Sequence, residues 1–214
     1  MSDKTPPSPR RHPAGANPQK RAQILAGAET VFLEKGFEQA SVAAIAAAAG
    51  VSKGTIYVYF SDKEEMFRTL IQERRSKMLE GSSSILHSDR PLPERMEWYG
   101  CRVASAICSD ASLRAQHIVI GAMERNPAFG PSFLDTVTAP TLREIGEMLS
   151  RAVDEGEMSV PDIPLAAAQF LELLTAGIWR RRLFGARLNP PTDDEIRSTV
   201  QSAVTMMLAA YRAC

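Results

Sequence analysis

An all-α fold is what the 214 residues predict: a small three-helix unit at the N-terminal end, a larger helical unit behind it, and about nine helices in all. Three observations carry this. Apolar residues recur at helical spacing in one segment after another. Serine, glycine and proline punctuate those segments where helices start and stop. No stretch alternates polar and apolar side chains convincingly, as a half-buried strand does.

Residues 1–18 are rich in proline, carry Lys4, Arg10 and Arg11, and hold too few apolar side chains to offset the entropy of ordering, so they read as a flexible basic arm. From about Lys20 the pattern changes. Ile24, Leu25, Ala28, Val31 and Phe32 form one stripe on a helix that stops near Gly36. Ser41 stands as an N-cap before Val42, Ile45, Ala46 and Ala49, and Gly50 supplies a turn. Ser52 is a second N-cap, opening a short helix that runs through Lys53, Gly54 and Thr55 to Phe60. Ser61 or Asp62 caps a fourth helix, with Glu64 and Glu65 near its positive end and Met66, Phe67, Leu70 and Ile71 as its stripe.

Beyond Gly81 the spacing predicts helices around Met96, Tyr99, Val103 and Ile107, then over residues 113–123. A break over 126–131 precedes a helix marked by Leu142, Ile145, Leu149 and Val153. One apolar helix over 165–184 and a last one from Ile196 to Tyr211 complete the chain, with loops near 82–91, 156–163 and 185–192. The domain reading is an arm at 1–18, a helix-turn-helix unit at 19–66 and a second helical domain at 67–214.

Bulk charge selects nothing, because 25 basic and 25 acidic residues cancel. Its distribution is more informative. Residues 1–60 hold seven basic side chains, Lys4, Arg10, Arg11, Lys20, Arg21, Lys35 and Lys53, against four acidic ones, which places any nucleic-acid contact at this end. Cys101 and Cys108 are seven apart on one helix, about 10 Å along its axis and beyond disulfide reach, and with Cys214 they form no metal spacing. They are small core residues or a thiol sensor, and a reducing cytoplasm fits them. The proline- and arginine-bearing start has no apolar run of a signal peptide or anchor, and no stretch is apolar enough to span a membrane. With only His12, His87 and His117, and no nucleophile elbow, phosphate-binding loop or metalloprotease motif, no catalytic residue, metal or cofactor is expected.

Two short capped helices joined by a tight turn can act as a DNA reader, the first bracing the second in the major groove. Lys53 and Thr55 lie at the exposed start of the second helix. Lysine can donate to guanine O6 or N7; threonine can hydrogen-bond a base edge or offer its methyl to thymine. Tyr57, Lys63 and the Ser41 hydroxyl suit phosphate contacts, while Ile56 and Phe60 fasten the helix to the core. Tyr59 packs on the core, with its hydroxyl either near a phosphate or not. An ordinary capped hairpin carries the same pattern, so spacing alone leaves both readings open.

The run SVAAIAAAAGVSKGTIYVYFSDKEEMF over 41–67 closely resembles the DNA-binding signature of TetR-family repressors, and the likeness extends upstream through ILAGAETVFLEKGFEQAS. The alanine-rich supporting helix, bare at Ala44, Ala47 and Ala48, is a modest departure from that signature. The resemblance implies that Ser41 opens the supporting helix, that Ser52, Lys53 and Thr55 open the recognition helix, and that Tyr57, Tyr59 and Lys63 lie near the DNA backbone. It also implies a homodimer on a palindromic operator, released by a small, hydrophobic effector bound in the second domain. Residues 125–184 look like the C-terminal domains of the AcrR/AefR-like branch.

On that fold the effector would meet Met96, Tyr99, Val103, His117, Met123, Phe133 and Trp179. Phe170, Leu173, Leu174, Gly177 and Ile178, together with Val200, Val204, Met207 and Leu208, would form a four-helix dimer interface, unless both helices are buried within one subunit. The basic arm would either add DNA contacts or have no sequence preference. A dimeric helical scaffold, or an activator using the same DNA reader, is the alternative reading.

Overall fold

The computed structural model describes residues 17–213, with the backbone alone at Ser83. All but the last two residues of the expected basic arm lie outside this range, as does Cys214. The chain divides into two compact units, one ending at Leu70 and the other beginning at Ile71. Eleven α-helices and one isolated bridge, between Met158 and Arg212, make up the regular structure among the described residues. No single helix among them is long and apolar enough to cross a membrane.

In the first unit, α1 (Pro18–Gln39) begins where the Asn17 side chain accepts from the Lys20 N–H at 3.1 Å, with proline in the first turn where its missing N–H costs nothing. Its stripe of Ile24, Leu25, Ala28, Val31 and Phe32 is buried. Near its end Gly36 takes a φ of +71°, turning Phe37 inward onto Phe32 and Phe67, with ring centroids 5.6 and 5.7 Å away. Helix α2 (Val42–Ala49) crosses α1 closely: a Cβ placed on Gly27 would sit 2.7 Å from the Ala49 nitrogen and Cβ. Glycine opposite alanine is what permits that approach. Helix α3 (Lys53–Tyr59) follows at a bend of 98°, and α4 (Lys63–Met78) runs across the boundary between the units.

The second unit holds α5 (Ser82–Leu86), α6 (Leu92–Ile107), α7 (Asp110–Met123), α8 (Phe129–Asp154), α9 (Ile163–Leu173), α10 (Trp179–Leu183) and α11 (Asp193–Ala210). Helix α6 lies against α11 and the end of α9 at Gly100, where a Cβ would meet Leu174 Cδ2, in the turn after α9, at 2.7 Å and Val200 Cγ1 at 2.8 Å. Two arginines are buried here with partners. Arg95 donates to Glu157 at 3.1 Å and Glu155 at 3.4 Å, and Arg182 donates to Asp110 and to the Leu188 carbonyl.

The single helix expected over 165–184 is in fact α9 and α10, separated by a turn over 174–178 in which Gly177 has a φ of +74°. An all-round apolar run does not reveal such a break, since the turn residues Leu174 and Ile178 are themselves buried. The expected loop over 82–91 contains the one-turn α5, and the break expected over 126–131 falls instead between α7 and α8, with Phe129 and Pro131 in the first turn of α8. Proline is tolerated there for the same reason as at Pro18.

Candidate nucleic-acid interface and effector cavity

The α2–turn–α3 segment is built by local rules. The Ser41 hydroxyl oxygen accepts from the Ala44 N–H at 3.1 Å, and that of Ser52 from the Thr55 N–H at 3.0 Å. Each serine caps its helix and keeps the helix-start amides oriented outward. Gly50 ends α2 with a φ of +62°, its N–H reaching back to the Ala46 and Ala47 carbonyls. Ile56 and Phe60 are buried, so the recognition helix is fixed by one face only.

The opposite face presents Ser52, Lys53 and Gly54, with Tyr57 58% and Val58 51% exposed. Thr55 and Tyr59 are half-buried, and the Thr55 hydroxyl lies 2.9 Å from that of Ser52, leaving its methyl group for an apolar contact. Lys53 is the one charged side chain between residues 41 and 60. Val58, between the two tyrosines in the chain, also stands on the solvent side.

Lys63, expected near the DNA backbone, is engaged within the unit itself. Its ammonium donates to the carbonyls of Phe37 at 2.8 Å, Glu38 at 3.3 Å and Ala40 at 3.3 Å, and it lies 4.4 Å from the centre of the Phe37 ring. An ammonium has three N–H donors, and all three are used on the end of α1. The carbonyls it meets lie beyond the Gly36 kink, at the end of α1, whose last turn carries no basic residue. Lys63 therefore fastens the start of α4 to α1.

The far end of α4 is fastened inside the second unit. Arg75 donates to Glu144 at 2.8 Å and to the Thr141 hydroxyl at 3.3 Å, and Glu144 also accepts from the Tyr99 hydroxyl at 2.6 Å. Burial, and the carboxylate of Glu144 beside it, push the Tyr99 phenol far above its ordinary range, so it remains a donor. Beside this network lies a cavity of about 70 Å³ between α4, α6, α7 and α8. Its walls include Ile71, Met78, Val103, Ile107 and Phe133, with Arg74, Arg75, Ser112 and Thr141 as polar members.

Of the seven residues expected to meet an effector, Val103 and Phe133 line this cavity. Met96 and Tyr99 are fully buried core residues behind it. His117, Met123 and Trp179 are not among its walls. His117 is exposed, with Nε2 2.9 Å from the Leu183 carbonyl; Met123 is exposed and its sulfur covers Gly130; Trp179 packs half-buried against the core. These three were assigned by residue type, and helical phase turns them elsewhere.

The residues expected at a dimer interface are also redistributed. Phe170, Leu174, Ile178, Val200, Val204 and Met207 are buried in the subunit's own core, and Gly177 is exposed in the turn between α9 and α10. Leu173 and Leu208 are half-buried. The outward groove between α9 and α11 is lined by two of the expected residues, Leu173 and Met207, together with Met206 and Ala210, with Gln169 and Glu172 beside them. Cys108 is buried and its thiol is pushed up to about 11 by that burial, while burial and then Glu97 raise that of Cys101; both stay protonated near neutral pH.

Comparison with known proteins agrees with this geometry at both ends of the chain. Residues 24–70 match the bacterial regulatory proteins of the tetR family, and residues 94–213 match the AefR-like transcriptional repressor C-terminal domain. The chain is 29% identical over 180 residues to the HTH-type transcriptional repressor AcnR of Corynebacterium glutamicum, covering 81% of this chain and 87% of that one. A TetR family transcriptional regulator from Pseudomonas syringae superposes with a TM-score of 0.69 at 26% identity, over 92% of this chain and 99% of that one. The flavonoid-responsive regulator FrrA gives a TM-score of 0.74 at 25% identity, over 91% and 97%.

Proposed function

Because this chain belongs to the TetR family of transcriptional regulators, with a C-terminal domain of the AefR-like type, we propose that it represses transcription from a palindromic operator and releases it when a small, largely apolar effector enters the cavity of its second unit. One observation carries the reading. A seven-residue helix, capped by Ser52 and pinned by Ile56 and Phe60, offers Lys53, Thr55 and Tyr57 from its other face, at 98° to a bracing helix. That is the geometry of a major-groove reader. Ser41 and Tyr57 would hold phosphates, and Lys53 and Thr55 would meet base edges. Tyr59 would pack beneath them.

Two copies would pair through the outward faces of α9 and α11, and the two-fold axis of the pair would match that of the operator. The relative from Corynebacterium glutamicum is a repressor by name and FrrA responds to flavonoids, which supports both halves of the reading. No catalytic step forms part of it.

The test is selection of bound duplexes from a randomised pool with the full-length protein at fixed salt. Enrichment of one inverted repeat is the expected result. Folded protein that enriches no sequence overturns the proposal and points to a protein-binding role.

A further inference from the structure

Resting on the reading of the α4–α6–α7–α8 cavity as the effector site, we propose that the effector is an apolar monoanion whose acidic group takes Arg75 away from Glu144, so that one contact both anchors the ligand and unfastens the far end of α4.

The charge of the wall leads to this. Among the residues lining the cavity there are two guanidinium groups, Arg74 and Arg75, and no carboxylate. Glu144, which answers Arg75, stands behind that wall rather than in it. Two of the lining hydroxyls are already engaged in both directions: Thr141 gives its hydrogen to the Val137 carbonyl and accepts from Arg75, and Ser109 gives its own to the Ala106 carbonyl and accepts from the Ser112 N–H. Arg75 uses Nε and Nη2 on Thr141 and Glu144, so the two N–H groups of Nη1 remain for an acceptor brought in from outside. The rest of the lining, Ile71, Met78, Val103, Ile107 and Phe133 foremost, is apolar and asks for a hydrocarbon or aromatic body.

Size supplies the second half of the argument. At about 70 Å³ the cavity is well below the roughly 300–1,000 Å³ of ordinary ligand pockets, so a ligand enters only if a wall moves. The tie from Arg75 to Glu144 and Thr141 is the polar fastening across that wall. A ligand carboxylate reaching Arg75 competes with Glu144 for one guanidinium, and like charges at that distance repel. Glu144 keeps its Tyr99 donor when Arg75 leaves, so its charge is not stranded. A neutral molecule of the same shape can fill apolar space but does not compete for Arg75.

The experiment uses 4-phenylbutyrate, 4-phenylbutanol and 4-phenylbutylamine, which share a body and differ in charge. Binding is read on the full-length protein by melting temperature and calorimetry, and operator retention is read separately. The expected result is that the acid binds at least about tenfold tighter than the alcohol and the amine weaker than either, as a charge-assisted hydrogen bond requires. Arg75→Met should bring acid and alcohol within about twofold of each other, the charge-assisted bond being gone. Glu144→Gln, which keeps the packing and lowers the competition, should tighten the acid further and make operator release easier. Equal binding of acid and alcohol, no binding of any probe at millimolar concentration, a preference for the acid that survives Arg75→Met, or weaker acid binding in Glu144→Gln each overturns the proposal. Failure of the unliganded protein to bind any duplex, with the acid preference intact, would sink the regulator reading and leave the charge of the ligand standing.

Discussion

Replacing Lys63 with methionine keeps the stem of the side chain and removes its three N–H donors. In the wild type those donors meet the Phe37, Glu38 and Ala40 carbonyls at 2.8 to 3.3 Å, and the charge sits over the Phe37 ring. Lys63 is half-buried, so water can re-enter and satisfy part of what is lost. The expected cost is then that of one charged hydrogen bond, about 1.5–3 kcal/mol, rather than of three. At roughly 2–4 °C per kcal/mol for a chain of this size, the melting temperature should fall by about 3–12 °C. The discriminating assay is operator affinity across a salt series. A side chain that neutralises a phosphate contributes about 0.9 to the slope of log affinity against log salt, whereas one that braces α1 contributes nothing. Weaker operator binding with an unchanged slope is the expected outcome. A slope shallower by about 0.9 per subunit, with the melting temperature unmoved, would refute the bracing role and return Lys63 to the DNA.

Gly27→Ala drives a methyl into the Ala49 backbone, 2.7 Å away, and should cost about 1–3 kcal/mol while abolishing operator binding, as unfolding and gel-shift titrations would register. Ser52→Ala removes the cap of α3 and should cost about 1 kcal/mol, with Ser52→Gly losing only a few tenths, measured by chemical denaturation. Lys53→Ala should lower the preference for the selected operator over random duplex, with thermal stability unchanged, since Lys53 is exposed; a preserved preference would remove it from base recognition. Glu195 is held down to about 2 by Arg187 and by the Thr192 N–H, so its interaction is present above the ordinary carboxylate range and is lost as pH falls towards about 2. Glu195→Gln should therefore melt below wild type at neutral pH, and the gap should close on acidification; a gap independent of pH would count against this pair.

What the sequence made legible is local. Ser41, Gly50, Ser52, Ile56 and Phe60 act within a few residues of themselves, so capping, turning and one-sided burial could be read from spacing alone. The family of the chain was legible for the same reason. The phase of a helix against distant partners was not. A stripe such as Val200, Val204 and Met207 announces that it will be buried, yet it does not say whether its cover comes from the same subunit or another, and here it comes from α6 at Gly100 and its neighbours. Lys63 and His117 show the corresponding limit for polar side chains. Both were judged by what their chemistry can reach, and both are engaged by backbone carbonyls that lie 23 to 26 residues away for Lys63 and 66 for His117.

The sparing use of charge on α2 and α3 has a consequence inside a cell. A protein meets its operator among a vast excess of other chromosomal DNA, and attraction to that excess grows with each cation laid along the backbone. With Lys53 alone between residues 41 and 60, these two helices gain little from random duplex. On the proposed reading as an operator-binding regulator, fewer molecules would be held away from the operator by the genome, and fewer copies would be needed to keep it occupied.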